Sequence, residues 1–323
     1  MTTHAPYPWL DAHYHQQLSR LASGRMPHAL LLTGPVGIGK RALAESLTLA
    51  ALCTAPGVEG APCGHCDSCR LYRADTHPDL TRVTIPEDKT QIVVDQIREL
   101  SETMGLSRSM GAHRVALLWP AEAMNPNAAN SLLKTLEEPP ERTLMILVSA
   151  EPSRLPATIR SRCQTLAVPL PPDEITRAWL AGQGVQAGQV DALLCLARGA
   201  PLVARDLAEE GALEQWHALL GDLSQLTRGK TGTVALAERW KAQDTERLIR
   251  WVQIALWESA RIAFTGRAAA GREDLQPLAK TLDLGRIFQL HDRLTEWRRL
   301  ARTTVNPQML LEEVFAGLAP GRA

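Results

Sequence analysis

Residues 30–43 read LLLTGPVGIGKRAL and decide the fold of this chain. Gly34, Gly39 and Lys40 fit the pattern G-x-x-x-x-G-K, between an apolar run at residues 29–32 and a helical pattern. Such glycines let backbone N–H groups approach a phosphate, and the start of the next helix adds positive potential. The stretch therefore predicts a phosphate-binding loop of the nucleotide-binding type. Its predicted lining residues are Gly34, Gly37, Gly39, Lys40 and Arg41.

Two side chains that would bind or position a metal ion are missing from this loop and from the later strand. A Ser or Thr, whose hydroxyl binds Mg²⁺, normally follows the loop lysine, but here the residue is Arg41. An acidic residue normally ends a later apolar strand, but RVALLWP (residues 114–120) ends in Trp119 and Pro120. We therefore expect weak or no ATP binding, no hydrolysis, and a subunit that works beside ATPases instead of acting as a motor.

Composition places the chain among globular proteins without a dominant charge. It has 323 residues, of which 45% are apolar and 22% charged, and its formal net charge is zero. The length allows two or three domains, and zero net charge gives no global attraction to nucleic acid. The N-terminal residues show no secretory signal, and no apolar run approaches about 18 residues. These features predict a cytoplasmic protein.

Apolar strands alternate with helical patterns over residues 29–168. The predicted strands are ALLLT (29–33), DLTRVTI (79–85), RVALLW (114–119), LMILVSA (144–150) and QTLAVPL (164–170). The predicted helices between them cover residues 40–53, 92–104 and 127–138. Such alternation is typical of a mostly parallel sheet covered by helices, an α/β fold.

Three domains are predicted along the chain. Residues 1–168 form the P-loop α/β domain, with an inserted cysteine knuckle at 53–69, and PLPP (169–172) marks a linker. Residues 169–210 are short, helical and punctuated by glycines, which predicts a small helical lid. Residues 211–323 read as helices alone and predict an all-α collar domain, in which most of the five tryptophans fill the core.

Four clustered cysteines predict a metal site. Cys63, Cys66 and Cys69 follow the spacing C-x₂-C-x₂-C, and Cys53 precedes them at the end of the loop helix. Four thiolates satisfy tetrahedral Zn²⁺ in a closed structural site, and clustered cysteines in a cytosolic chain favour metal over disulfides. An iron–sulfur cluster and unliganded or redox-active cysteines are the alternatives.

Other residues near the cluster have simpler interpretations. His65 and His77 could substitute as ligands, but we expect surface or capping roles for both. Cys163 and Cys195 stand apart from the cluster, and we expect them to be small buried residues.

Several stretches together resemble the bacterial sliding-clamp loader, an AAA+ assembly of the DNA polymerase III holoenzyme. PHALLLTGPVGIGK is followed by the knuckle and THPDL, then by SLLKTLEEPPERT and by SRLPATIRSRC, which ends in Ser161-Arg162-Cys163. The degenerate acidic strand separates the chain from the gamma/tau motor subunits, and the segments IVVDQIREL (92–100) and NPQMLLEEVF (306–315) also resemble the delta-prime family. The resemblance covers the whole chain, most sharply residues 27–165.

This resemblance implies a rigid stator in a five-subunit ring, with gamma/tau motor subunits and a delta subunit as partners. It implies that the assembled complex acts on the sliding clamp and primer–template DNA, and that Cys53, Cys63, Cys66 and Cys69 bind structural zinc. It implies that Arg162 acts in trans as an arginine finger on the nucleotide of a neighbouring motor. In the lid, Leu202 replaces the sensing arginine of the motors, and Arg205 lies three residues out of register.

Two other functions remain open on the sequence. The first is an active AAA+ ATPase that uses Lys40 with an acid such as Glu122, although we expect Glu122 to face solvent. The second is a zinc-dependent nucleic-acid binder. Residues 54–75 weaken it, because their only bases are Arg70 and Arg73 and they also carry three acids.

Overall fold

The computed structural model describes residues 5–268, 272–281, 284–301 and 303–320. It separates the chain into two compact units, one ending at Ile175 and the other beginning at Thr176. The predicted division between lid and collar at residues 210 and 211 stays a prediction.

A five-stranded parallel sheet organises the first unit, in the order β2-β3-β4-β1-β5. The strands are β1 (Ala29–Thr33), β2 (Leu80–Val83), β3 (Arg114–Leu118), β4 (Thr143–Ser149) and β5 (Gln164–Ala167). Every residue of β1, β3 and β4 is buried, which explains their continuous apolar sequence, because helices cover both faces of a parallel sheet. The predicted α/β class is confirmed. The edge strands β2 and β5 are shorter than predicted.

Among the described residues, six α-helices accompany the sheet. They are α1 (Asp11–Ala22), α2 (Lys40–Leu52), α3 (Asp67–Arg73), α4 (Val94–Gly105), α5 (Pro126–Glu137) and α6 (Ala157–Arg160). Helix α5 begins where the Asn125 side chain accepts the Ala128 N–H at 2.8 Å, and it ends before Pro139 and Pro140. This boundary follows local rules, since Asn caps a helix start and proline restricts the preceding residue. Helix α1 was not predicted from the sequence.

Because all five strands are parallel, their carboxyl ends lie on one side of the sheet and their amino ends on the other. We call these two sides the carboxyl edge and the amino edge. At the carboxyl edge, β1, β3 and β4 lead into segments that begin at Gly34, Trp119 and Ala150. At the amino edge, α5 ends before β4 and α6 ends before β5. Groups on loops at the carboxyl edge therefore lie together, and groups that precede the strands lie on the opposite side.

The described part of the second unit is helical. Its helices are α7 (Asp173–Gly182, which begins just before the unit boundary), α8 (Ala187–Leu196), α9 (Pro201–Glu209), α10 (Ala212–Thr227), α11 (Thr233–Trp240), α12 (Thr245–Thr265), α13 (Gln276–Ala279), α14 (Leu284–Leu300) and α15 (Pro307–Leu318). One apolar core runs from Leu180 to Leu318. Four tryptophans lie in it, as predicted, and Trp257 is half exposed. Among the described residues, no helix is both long and apolar enough to cross a membrane.

A buried ion pair fixes the loop before β3. Asp79 and Arg114 are both buried, with 3.0 Å between Oδ1 and Nη2. The Asp79 carboxylate also accepts the backbone N–H groups of Ser109, Met110 and Gly111 at 2.7–2.8 Å. Burial alone would raise the pKa of Asp79, but these three N–H groups and the Arg114 charge hold it below its ordinary value.

Asp79→Asn should therefore lower the free energy of unfolding at pH 7 by about 3 to 5 kcal/mol, because it leaves Arg114 buried without its counter-charge. The stabilisation is present above the unfolded-state pKa of about 4 and is lost as the pH falls through the lower folded-state value. The difference between variant and wild type should therefore shrink on acidification. Urea unfolding at several pH values measures both effects.

The matched control is Asp95→Asn, because Asp95 pairs with Arg98 at 3.0 Å on the exposed surface. This change should cost no more than about 1 kcal/mol. Equal losses for the two variants would show that the buried pair has no special role.

Candidate functional site

The glycine-rich loop after β1 has the backbone conformation that its glycines allow. Gly34, Gly37 and Gly39 have φ angles of 142°, 79° and 86°. A side chain at Gly34 is excluded as well, because its Cβ would lie 2.1 Å from the carbonyl oxygen of Val168. Gly39 immediately precedes α2, so the loop leads directly into the start of that helix.

The side chain of Lys40 forms hydrogen bonds to the backbone of its own loop. Its Nζ donates to the carbonyl oxygens of Gly34 at 2.7 Å and of Pro35 at 2.5 Å. Burial lowers the pKa of Lys40 to about 8, and the negative charge of Glu122 opposes that shift. A phosphate bound by this ammonium would have to replace the two loop carbonyls as its partner.

Arg41 and Trp119, at the two positions where metal-handling groups are missing, contact each other. The guanidinium carbon of Arg41 lies 4.2 Å from the centroid of the Trp119 ring, a cation–π arrangement. Neither side chain offers an oxygen ligand, and oxygen ligands are what Mg²⁺ requires. The sequence shows that Arg41 and Trp119 each replace a metal-handling residue. Their contact with each other depends on how β3 and α2 are placed in the fold.

The N-terminal segment also packs on the loop, which the sequence analysis missed. A Cβ at Gly39 would lie 2.5 Å from the Tyr7 ring, so this ring rests against the start of α2. The Trp9 indole N–H donates to the Ile38 carbonyl at 2.9 Å, and the Tyr7 and Trp9 rings stack at 5.1 Å. Tyr7 and Trp9 are far from the loop in the sequence, so no local pattern could have indicated this contact.

The expectation that Glu122 faces solvent is wrong. The turn after β3 directs this carboxylate inward, where Oε1 accepts the N–H groups of Ala150 at 3.0 Å and Glu151 at 3.3 Å. Its other oxygen is buried and has no hydrogen-bond partner among the described residues. Glu122 thus supplies the negative charge near Lys40, and its hydrogen bonds go to backbone amides after β4.

Arg162 lies at the opposite edge of the sheet from the phosphate loop. It precedes Gln164 by two residues, and Gln164 pairs with Leu30 near the beginning of β1. At about 3.3 Å per residue, the start of β5 is roughly 13 Å from the loop along the strand direction, and Arg162 lies in the turn before that start. Its guanidinium binds Glu137 at 2.6 Å and the Thr158 carbonyl at 3.0 Å, and its side chain is 35% exposed.

The four clustered cysteines meet as the spacing predicts. Cys53 follows α2, Cys66 caps the start of α3, and Cys69 lies within α3. All four sulfurs lie within 4.8 Å of one another. Sγ–Sγ distances of 3.7 and 4.0 Å fit a tetrahedral ion with bonds of about 2.3 Å, which places sulfurs ~3.8 Å apart. They are far longer than the roughly 2.05 Å of a disulfide, so this set can hold one metal ion.

Backbone N–H groups point at the sulfurs of the cluster. Those of Cys63, Cys66 and Cys69 donate to the sulfurs of Cys53, Cys63 and Cys66, each at 3.4 Å. Burial opposes ionisation of Cys66, but the Cys69 N–H and hydrogen bonds from Thr54 together lower its pKa to about 5. The low pKa of Cys66 favours the thiolate form that binds metal, whereas burial raises the pKa of Cys53 and of Cys69.

The remaining cysteines and histidines largely follow the sequence analysis. Burial raises the pKa of Cys163 to about 11 and that of Cys195 to about 12, as fits small core residues. His65 is exposed. His77 is buried and lies at no helix end; its Nδ1 accepts the Asp79 N–H at 3.0 Å just before β2, so the expected surface or capping role is wrong for it.

Comparisons with known proteins identify relatives over the whole length of the chain. The family model described as "DNA polymerase III, delta subunit" matches residues 11–172. The DNA polymerase III subunit delta′ of Pseudomonas aeruginosa is 41% identical over 318 residues, which is 96% of each chain. The tau subunit of Escherichia coli is 34% identical over 143 residues, 44% of this chain and 22% of that protein.

Among solved structures, a gamma-subunit-related protein of DNA polymerase III from Thermotoga maritima has a TM-score of 0.46 at 16% identity, over 94% of this chain and 97% of that one. The family model covers half of the chain, and the Pseudomonas relative covers nearly all of it. The chain therefore belongs to the delta-prime subunit family of DNA polymerase III.

Proposed function

We propose that this chain is the non-motor stator of the replicative clamp loader. It braces a ring that contains gamma/tau motor subunits and a delta subunit, and it supplies Arg162 in trans to a neighbouring ATPase site. The assembled ring then loads the sliding clamp onto primed DNA in the cytoplasm. The observation that carries the non-motor role is the contact of Arg41 with Trp119.

The electrostatics of the phosphate loop support the absence of hydrolysis. Phosphoryl transfer relies on Mg²⁺ to neutralise the charge that develops on the phosphate. Arg41 places a fixed positive charge beside the loop, and Trp119 provides no carboxylate for the metal. Lys40 is already bonded to carbonyls of its own loop. The five loop residues 34, 37, 39, 40 and 41 therefore give at most weak nucleotide binding without turnover.

The position of Arg162 supports action on a site that belongs to another subunit. It lies at the amino edge of the sheet, whereas the loop of the same chain lies at the carboxyl edge. A guanidinium supplies delocalised charge and can bind a phosphate through two N–H groups at once. The ion pair with Glu137 is partly exposed, so an incoming phosphate can compete for the same N–H groups.

We further propose that the metal of the cysteine knuckle is structural zinc. The four sulfur donors leave no open position for water, as is usual for structural Zn²⁺ sites. Arg70 and Arg73 are the only lysine or arginine residues of the stretch 54–75, which does not favour a role for the knuckle in binding nucleic acid.

Protein purified without chelator should contain about one zinc per chain, because four thiolates at this spacing form a closed tetrahedral site. Elemental analysis measures the zinc, and a thiol titration counts the free cysteines. Cys66→Ser should lower zinc content and the stability of the knuckle and leave the helical second unit folded. Cys195→Ser is the control, because Cys195 lies outside the cluster. Four reactive thiols in metal-free protein would exclude the zinc assignment.

The isolated chain should hydrolyse no ATP above background at any Mg²⁺ concentration, because both metal-positioning groups are absent. A phosphate-release assay of wild type and Lys40→Ala measures this directly. Turnover that Lys40→Ala abolishes would identify an active ATPase and would point to Glu122 as its acid. Nucleotide binding without turnover agrees with the proposal.

Arg162→Ala should leave the chain folded and able to join the ring, and the assembled complex should lose ATPase and clamp-loading activity. Loss of a trans arginine costs about 10³-fold or more at the site it serves, and the loss for the whole complex should be smaller if other motor sites still work. Arg162→Lys should restore little, because an ammonium lacks the planar fork of a guanidinium. Reconstituted complexes and gel filtration provide the measurement.

Arg160→Ala is the matched control, since Arg160 is an exposed arginine two residues away at the end of α6. It should change loading little. Normal loading by the Arg162→Ala complex would reduce Arg162 to an interface charge that pairs with Glu137.

A further inference from the structure

A buried hydrogen bond joins the two segments that carry the deepest ligands of the knuckle. Cys53 and Cys69 are almost completely buried, with exposed fractions of 2% and 0%. Leu52 directly precedes Cys53, and Ser68 directly precedes Cys69. The Ser68 hydroxyl donates to the Leu52 carbonyl at 2.6 Å, so the end of α2 and the first turn of α3 are linked one residue before each ligand.

His77 fixes the direction of this hydrogen bond. Its Nδ1 accepts the backbone N–H of Asp79 at 3.0 Å, so the proton of the neutral ring is on Nε2. Nε2 lies 2.7 Å from the Ser68 Oγ and donates to it. The hydroxyl proton is then directed to Leu52, and the bonds run from His77 to Ser68 to Leu52.

We propose that Ser68 and His77 are positioning residues for the zinc site, because they hold the backbone of Cys53 and Cys69 at the separation that one ion requires. The inference rests on the zinc assignment proposed above. The other two ligands, Cys63 and Cys66, are less buried than this pair. The hydrogen bonds of Ser68 and His77 therefore act on the more buried pair of the four ligands.

We call the hydrogen bonds that run from His77 through Ser68 to Leu52 the relay. It explains why a histidine that is not a metal ligand is buried beside the cluster. Outer groups that orient metal ligands typically change metal affinity by about 10- to 100-fold when they are removed. Loss of the relay should let α3 shift against the end of α2, so that the site holds the ion in a less favourable geometry. Zinc should then leave faster, although all four cysteines are present.

Two substitutions of His77 separate positioning from general stability. His77→Asn keeps an acceptor for the Asp79 N–H where Nδ1 lies, but it loses the donor to Ser68. His77→Gln places an amide N–H near the position of Nε2, so it keeps the donor to Ser68. A role limited to core packing would affect both variants alike, whereas a positioning role predicts that Gln, not Asn, retains the site.

Zinc release from the full-length chain can be followed with a chromogenic chelator, and the tetrahedral geometry with the absorption bands of Co²⁺-substituted protein. Ser68→Ala and His77→Asn should release zinc about tenfold faster than wild type, with altered Co²⁺ bands, and His77→Gln should stay close to wild type. Ser149→Ala is the matched control: Ser149 is buried in the same unit, and its hydroxyl has no hydrogen-bond partner among the described residues. It should release zinc at the wild-type rate.

Unchanged release from Ser68→Ala and His77→Asn would overturn the positioning role and leave the zinc assignment intact. Equally fast release from His77→Asn and His77→Gln would also overturn it, because packing alone would then explain the effect. Wild-type protein without zinc would overturn both the assignment and the relay.

Discussion

Parallel pairing of β1 with β5 is the constraint on which the functional geometry depends. It places every segment that follows a strand at one edge of the sheet and every segment that precedes a strand at the other. The phosphate loop follows β1, and Arg162 precedes β5, so the two cannot meet within one chain. This separation supports the proposal that Arg162 serves a neighbouring subunit, whether or not the loop of its own chain binds a nucleotide.

At the carboxyl edge, charged side chains interact with other groups of the same chain. Lys40 is bonded to loop carbonyls, Arg41 lies on the face of Trp119, and a Glu122 oxygen accepts backbone N–H groups. In an active site these positions would interact with phosphate, Mg²⁺ and water. Here Lys40, Arg41 and one oxygen of Glu122 have partners within the chain, whereas the other Glu122 oxygen is buried without one among the described residues.

The cysteine knuckle is joined to the sheet unit by more than its sulfurs. The Tyr72 hydroxyl on α3 donates to the Glu45 carboxylate of α2 at 2.5 Å, and Arg82 of β2 binds the same carboxylate at 3.0 Å. These groups lie on a different part of α3 from the Ser68 hydrogen bond. A bound metal would therefore stabilise an insertion that side chains already hold in place, which fits a structural ion better than a catalytic one.

The sequence by itself determined the fold class, the family and which four cysteines cluster, because these depend on local patterns. The run of residues 29–33 was recognised as a strand with its observed bounds, since apolar residues without alternation indicate a strand buried on both faces. The x₂ spacing likewise brought Cys63, Cys66 and Cys69 together, because one tight turn presents neighbouring sulfurs to the same ion.

Only the tertiary structure decided which distant groups meet. Arg41 and Trp119 are far apart in sequence and contact each other because α2 packs beside the end of β3. Glu122 points inward and His77 reaches Ser68 because loops between strands fold back onto the sheet. Periodicity and spacing report which face of an element is apolar, but the pairing of polar groups across the sheet depends on strand order and register. Those are set by non-local backbone hydrogen bonds, and no short stretch of this sequence encodes them.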